Sequence, residues 1–213
     1  MRKGTFLIII VALLVVPTVA DAQDWVLRVR AIAVEPNDSS QQIGDTGSEV
    51  AVDSATTIEV DVTYMFGKRL GLELIAATPK HDLGASGGAL GGADLGSVKL
   101  LPPTLTLQFH PFPGGLFDLY LGAGVNFTTF YSYDLSDDLA DLGVTDIGFD
   151  DSFGLAGNIG LNVNLGRSFL LNGDIKYIQV ATTADIQTAD GTLDNVDVDI
   201  NPWVFGLGVG FRF

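Results

Sequence analysis

Cysteine is absent from the 213 residues, which excludes a disulfide framework and thiolate catalysis. Bases are scarce: 11 Lys and Arg stand against 26 Asp and Glu, for a net charge of −15. That balance argues against a nucleic-acid partner, because phosphate binding needs a basic face. Histidine occurs twice. Beyond Val16 no apolar stretch approaches the roughly 20 residues of a membrane-spanning helix. What is present is unusual for so acidic a chain: 47% of residues are hydrophobic and 26 are Gly. A membrane protein without such helices must be a closed barrel, since lipid cannot satisfy an open sheet edge.

The N-terminus reads as a secretory signal. Arg2 and Lys3 precede an apolar run over residues 6–16, and Ala20-Asp21-Ala22 offers the small residues a signal peptidase reads. A retained anchor is the competing reading, but the run is too short to span a bilayer. Cleavage after Ala22 is expected, which divides the chain into a signal peptide, 1–22, and one domain, 23–213. The mature chain then has nine bases, twenty-five acids and a net charge of −16.

In that domain the hydrophobic period is two, the signature of strands. Leu27, Val29 and Ala31 alternate with Val26, Arg28 and Arg30; Ile58, Val60 and Val62 with Glu59, Asp61 and Thr63; Leu70, Leu72 and Leu74 with Gly71, Glu73 and Ile75. Leu105 and Leu107 alternate with Thr106 and Gln108, Leu119 and Leu121 with Asp118 and Tyr120, and Ile159 and Leu161 with Asn158 and Asn162. Leu171 and Ile175 alternate with Asn172 and Asp174, and Leu207, Val209 and Phe211 with Gly208, Gly210 and Arg212. Eight such runs, apolar on one face and polar or small on the other, predict an all-β fold: an eight-stranded antiparallel transmembrane β-barrel with a narrow lumen. Aromatic residues near strand ends, among them Trp25, Tyr64, Phe66, Phe109, Phe117, Phe153 and Trp203, suit the two interfacial girdles.

Connections alternate in length. Gly67-Lys68, residues 111–115 and Gly166-Arg167 read as tight turns, whereas segments near 36–54, 81–97, 133–151 and 184–196 read as long polar loops. Outer-membrane barrels keep short turns in the periplasm and long loops outside, so both termini are expected on the periplasmic side. Nineteen of the twenty-five mature acids fall in the long segments and their flanks. A soluble lipocalin-like barrel or β-sandwich is the alternative. The hydrophobic fraction, the aromatic strand ends and the terminal Phe213 weigh against it.

Leu101-Pro102-Pro103-Thr104-Leu105-Thr106-Leu107-Gln108-Phe109-His110 resembles the OmpW family of small outer-membrane barrels. Tyr120-Leu121-Gly122-Ala123-Gly124-Val125-Asn126-Phe127, Asp174-Ile175-Lys176-Tyr177-Ile178, Asn201-Pro202-Trp203 and Gly208-Val209-Gly210-Phe211-Arg212-Phe213 extend the likeness in order along the mature chain. The ending, with Gly208, Phe211 and Phe213, is similar to the signal by which the barrel assembly machinery takes up many barrels. The resemblance implies passive passage of small hydrophobic molecules, entering from outside and leaving sideways through the wall into the bilayer.

The residues offer support for a side exit. Proline lacks the N–H that a strand ladder needs. Pro79 ends the third strand, and Pro102 and Pro103 lie in the outer part of the fourth, so the seam between these strands is the expected lateral gate; a plain bulge is the alternative. Pro36 and Pro202 mark a second possible gap. Inward Arg28, Arg30, Glu59, Asp61, Glu73, Asp174, Lys176 and Arg212 predict an ion-pair plug in the periplasmic half, because unpaired buried charge is costly. Val26, Ile32, Val34 and Ile75 are expected to form an apolar throat above it.

Catalysis is not expected. His81 reads as a loop residue beside Asp82 and His110 as a turn residue before Pro111, neither with a Ser aligned to it. No cofactor or metal is expected, since the acidic third loop lacks the Gly and Glu of a calcium loop. The expected partners are outer-membrane lipid and lipopolysaccharide, a small hydrophobic solute and the assembly machinery, around a monomeric barrel. The alternative function is a surface receptor whose acidic loops bind phage, toxin or host molecules.

Overall fold

The computed structural model describes residues 25–141, 143–188 and 191–213; the expected signal peptide lies outside them. Fifteen strands occur among the described residues: β1 Trp25–Glu35, β2 Ser39–Ser40, β3 Glu49–Val52, β4 Ala55–Met65, β5 Leu70–Ala77, β6 Lys80–Ser86, β7 Asp94–Leu101, β8 Thr104–Phe109, β9 Phe117–Leu135, β10 Val144–Phe149, β11 Ser152–Asn164, β12 Phe169–Ile178, β13 Ala181–Thr188, β14 Gly191–Asp199 and β15 Trp203–Arg212. Eight of them close a ring of antiparallel pairs in the order β1, β4, β5, β8, β9, β11, β12, β15, with β15 pairing back onto β1. Closure leaves no edge whose N–H and C=O groups would face lipid.

The alternation places the apolar face outward. In β1 the side chains run alternately exposed and buried, with Leu27 and Val29 outside and Arg28 and Arg30 inside. A belt of exposed Leu, Ile, Val and Phe surrounds the ring, Leu107, Ile159, Leu171 and Leu207 among them. Aromatic clusters sit at both of its rims. Trp25, Tyr64 and Phe66 are linked at 4.9 Å near the tight turns, and Tyr177 meets Trp203 at 5.1 Å near the long connections. Both ends of the ring's chain lie at the turn end, where the Trp25 N–H donates to Phe213.

Inside, small residues on one strand make room for large ones on the next. Arg30 pairs in register with Gly208, and a Cβ on Gly208 would lie 2.1 Å from the Val29 carbonyl oxygen. Tyr120 pairs with Gly160, where a Cβ would fall 2.1 Å from the tyrosine ring. Gly160→Ala is therefore expected to lower stability by about 1–3 kcal/mol, the usual cost of overpacking. Urea unfolding in lipid vesicles checks it; a barrel as stable as the parent counts against this packing.

The long segments are not loops, which corrects the expectation. Beyond the belt they continue as strands in two sheets, one of β3, β6, β7 and the far end of β9, the other of β10, β13, β14 and β2. These pack face to face on an apolar core that includes Leu83, Leu95, Leu139, Ile186 and Val196, with Phe130 stacked on Phe149 at 5.3 Å. The acids lie on the outer face: Asp197 and Asp199 are exposed while Val196 and Val198 are buried.

Candidate functional site

The lumen holds three layers. The middle one is a charged network whose members come from facing strands. Arg28 Nη1 donates to Asp61 Oδ1 at 2.7 Å and to Thr63 Oγ1 at 2.9 Å. Arg30 Nη2 donates to Glu73 Oε1 at 2.9 Å, and its Nη1 to Asn172 Oδ1 at 2.9 Å. Arg30 Nε is 2.7 Å from Glu59 Oε1, an ion pair whose N–H does not point at the oxygen. Lys176 Nζ bridges Glu59 and Asp174 at 2.9 and 2.6 Å. All seven charged members are buried. Three bases against four acids leave the layer one charge negative, so neutral donors complete it. Thr106 and Asn158 donate to Glu73 Oε2, and the Tyr120 hydroxyl donates to Asp174 Oδ2 at 2.8 Å.

Arg212 is placed elsewhere. It lies at the turn end with its side chain 24% exposed and 3.8 Å from Asp118, apart from the main network. Strand parity gave its direction correctly, but position along the strand puts it at the mouth. His110 is corrected too. It is buried, and its Nδ1 lies 2.8 Å from Asp118 Oδ1. His110 follows the last residue of β8 and keeps that strand's inward phase. Tyr120 is the central residue the sequence reading left unassigned. It contacts Arg30, Asn172 and Asp174 through its hydroxyl, and the Arg28 guanidinium sits 5.4 Å over its ring. The available signal was a tyrosine facing a glycine across the ladder.

Above the network, toward the two outer sheets, lies an apolar chamber. Ile32, Val34, Ile75, Ile178 and Val204 line it, and Glu59 forms its floor. Its free volume is about 40 Å³, room for a few waters. Ile32, Val34 and Ile75 thus occupy the throat position. Val26 does not: it packs with Met65 and Leu170 on the other side of the charged layer. It shares the parity of Ile32 but sits six residues nearer the turn end.

Pro79 and Pro102 also line the chamber, with His81. His81 is no loop residue either; it is an inward, buried member of β6. Beside the prolines the wall is incomplete. Pairing between the third and fourth walls stops at Ile75↔Thr104 and resumes in the same register at Lys80↔Lys99. The Leu100 N–H donates to the Pro79 carbonyl at 3.2 Å, so Pro79 and, two residues on, Pro102 both turn their missing N–H toward this seam. Pro103 faces the other way, and its carbonyl accepts the Phe127 N–H of β9 at 3.0 Å. Pro103 therefore interrupts the neighbouring seam, a correction that follows from the alternation of bonding directions along a strand. At Pro202 the opposite wall stays tighter, with β1 and β15 paired as far as Glu35↔Trp203. At the chain's end Gly208 lies in the lumen against Arg30, while Phe211 and Phe213 are on the outer surface.

The profile of the OmpW family matches residues 21–213. Outer membrane protein W of Vibrio cholerae is 39% identical over 193 residues, covering 89% of this chain and 88% of the relative. Outer membrane protein W of Escherichia coli is 33% identical over 196 residues, covering 91% and 90%. The crystal structure of the outer membrane protein OprG from Pseudomonas aeruginosa superposes with a TM-score of 0.84 at 35% identity, covering 90% of this chain and 96% of that one.

Proposed function

The chain belongs to the OmpW family of outer-membrane barrels, and from that premise we propose that it is a passive route for small hydrophobic molecules with a sideways exit into the bilayer. One observation carries this reading. The apolar chamber is floored by a closed ionic layer, while the wall beside it is broken where Pro79 and Pro102 face the seam. An apolar solute meets a steep desolvation barrier below, because the ions would have to part. To the side it meets a thinly paired seam, where the Leu100 N–H to Pro79 bond stands between Ile75↔Thr104 and Lys80↔Lys99, and then lipid. In this reading the two outer sheets stand outside the cell and the termini in the periplasm. The barrel works as a monomer, since the closed ring needs no partner, and no group of the route performs chemistry on the solute. A receptor with free acidic loops is the weaker reading, because those segments are folded into packed sheets.

The test is uptake by vesicles whose outer leaflet is lipopolysaccharide, which apolar solutes cross slowly unaided. Purified protein is expected to speed entry of small aromatic and aliphatic solutes and not of sugars of similar size. Equal acceleration of both, or of neither, would refute the proposal.

A further inference from the structure

The chamber wall is apolar except for Glu59, His81 and Thr104. Glu59 is a charged member of the ionic layer below, its Oε1 held by Lys176 and Arg30. The Thr104 hydroxyl donates to the Pro102 carbonyl at 3.0 Å and accepts from Asn126 Nδ2 at 2.8 Å. His81 differs. Its Nδ1 lies 2.7 Å from the backbone oxygen of Asp53. A carbonyl only accepts, so Nδ1 carries the hydrogen, and in the neutral ring Nε2 is left as a bare acceptor. No protein group among the described residues bonds Nε2. Burial pushes the imidazole below the usual histidine range, against the pull of the Asp53 carbonyl and of the Asp82 and Asp53 carboxylates, which keeps the ring in that neutral form near pH 7.

Resting on the transport reading, we propose that His81 Nε2 is a selectivity element: it favours small apolar solutes that carry one hydroxyl or N–H donor, such as phenols and alcohols, over hydrocarbons of the same shape. The resting chamber, about 40 Å³, is smaller than such a solute and has to widen as it enters. A donor-bearing solute then lays its apolar body against Ile32, Ile178 and Val204 and gives its hydrogen to Nε2. A hydrocarbon must displace the water from the chamber and leave that buried acceptor unmet, which is where a polar atom in an apolar site gains its discrimination.

The decisive pair is p-cresol and p-xylene, nearly equal in shape and differing in one O–H. Protein in lipid nanodiscs, with ¹⁵N-histidine and ¹³C-methyl labels, is titrated with each. p-Cresol is expected to shift the chamber methyls and the His81 Nε2 resonance together. p-Xylene is expected to shift the methyls alone and to bind about fivefold more weakly, the effect of one net hydrogen bond. His81→Phe is expected to erase the preference, and His81→Gln, whose side-chain oxygen also accepts, to retain part of it. The selectivity is overturned if p-cresol moves the methyls but not Nε2, or if His81→Phe keeps the preference; the transport reading survives either result. If neither compound moves the methyls, the chamber admits no solute and both fall. Should His81→Phe fail to assemble, the Nε2 resonance of the unsubstituted protein decides.

Discussion

Valine at positions 79 and 102 is expected to slow hydrophobic uptake about thirtyfold while the barrel still assembles. Each substitution returns an N–H to the seam between the third and fourth walls, in the register that already runs above and below it. A net backbone hydrogen bond is worth about 1 kcal/mol, so two shift the closed-to-open ratio of that seam by about thirtyfold. Valine nearly matches the volume of proline and keeps the chamber apolar, so the change acts through the ladder. Pro103→Val is the internal control, because its missing N–H faces β9; uptake by this variant is expected to match the parent. The measurement is entry of a labelled aromatic solute into lipopolysaccharide-leaflet vesicles, with heat-modifiable gel migration as the check on folding. A folded Pro79→Val/Pro102→Val protein with undiminished uptake would remove the gate.

The second large effect concerns the charged layer. Arg30→Ala is expected to destabilise the barrel by about 3–5 kcal/mol, the cost of stripping a buried charge of its partner. Arg30 lies against Glu59, Asp61 and Glu73 within 2.9 Å and Asp174 within 3.7 Å, so its loss leaves four acids facing two bases. Replacing the pair, Arg30→Leu with Asp61→Leu, is expected to recover most of that loss, because charge balance returns and the volume is filled with apolar atoms. Urea unfolding of the vesicle-embedded variants reads both. Hydrophobic uptake in the paired variant is expected to be unchanged, since the proposed side exit bypasses this layer. A loss under about 1 kcal/mol in Arg30→Ala, the range of exposed ion pairs, would show that the layer is hydrated rather than dry.

The ring and its contents were legible because a strand's period of two is local and unambiguous. Arg28, Arg30, Glu59, Asp61, Glu73, Asp174 and Lys176 share one parity, and a narrow lumen leaves them no one else to meet. Depth was harder to read than direction. Val26 and Arg212 point inward as parity requires, yet where each sits along the axis depends on the stagger of neighbouring strands, a property of the closed ring. The outer sheets were missed because their acids suggested solvated loops. The alternation was there to find: Val196, Val198 and Ile200 interleave with Asp197 and Asp199, and Ala184 and Ile186 with Asp185. His81 was lost with them, since a residue assigned to a loop has no parity from which its direction can be read.

In the proposed orientation, with the two packed sheets outside the cell, they have a consequence for immune recognition. Segments that look from the sequence like four floppy peptides are held against a common interior, so neighbouring side chains on that surface come from distant parts of the chain, as with Asp197 and Gln41 at 3.2 Å. Antibodies raised on excised linear peptides will meet shapes the intact molecule does not present, and a vaccine antigen made from this protein needs the whole folded barrel to display its epitopes.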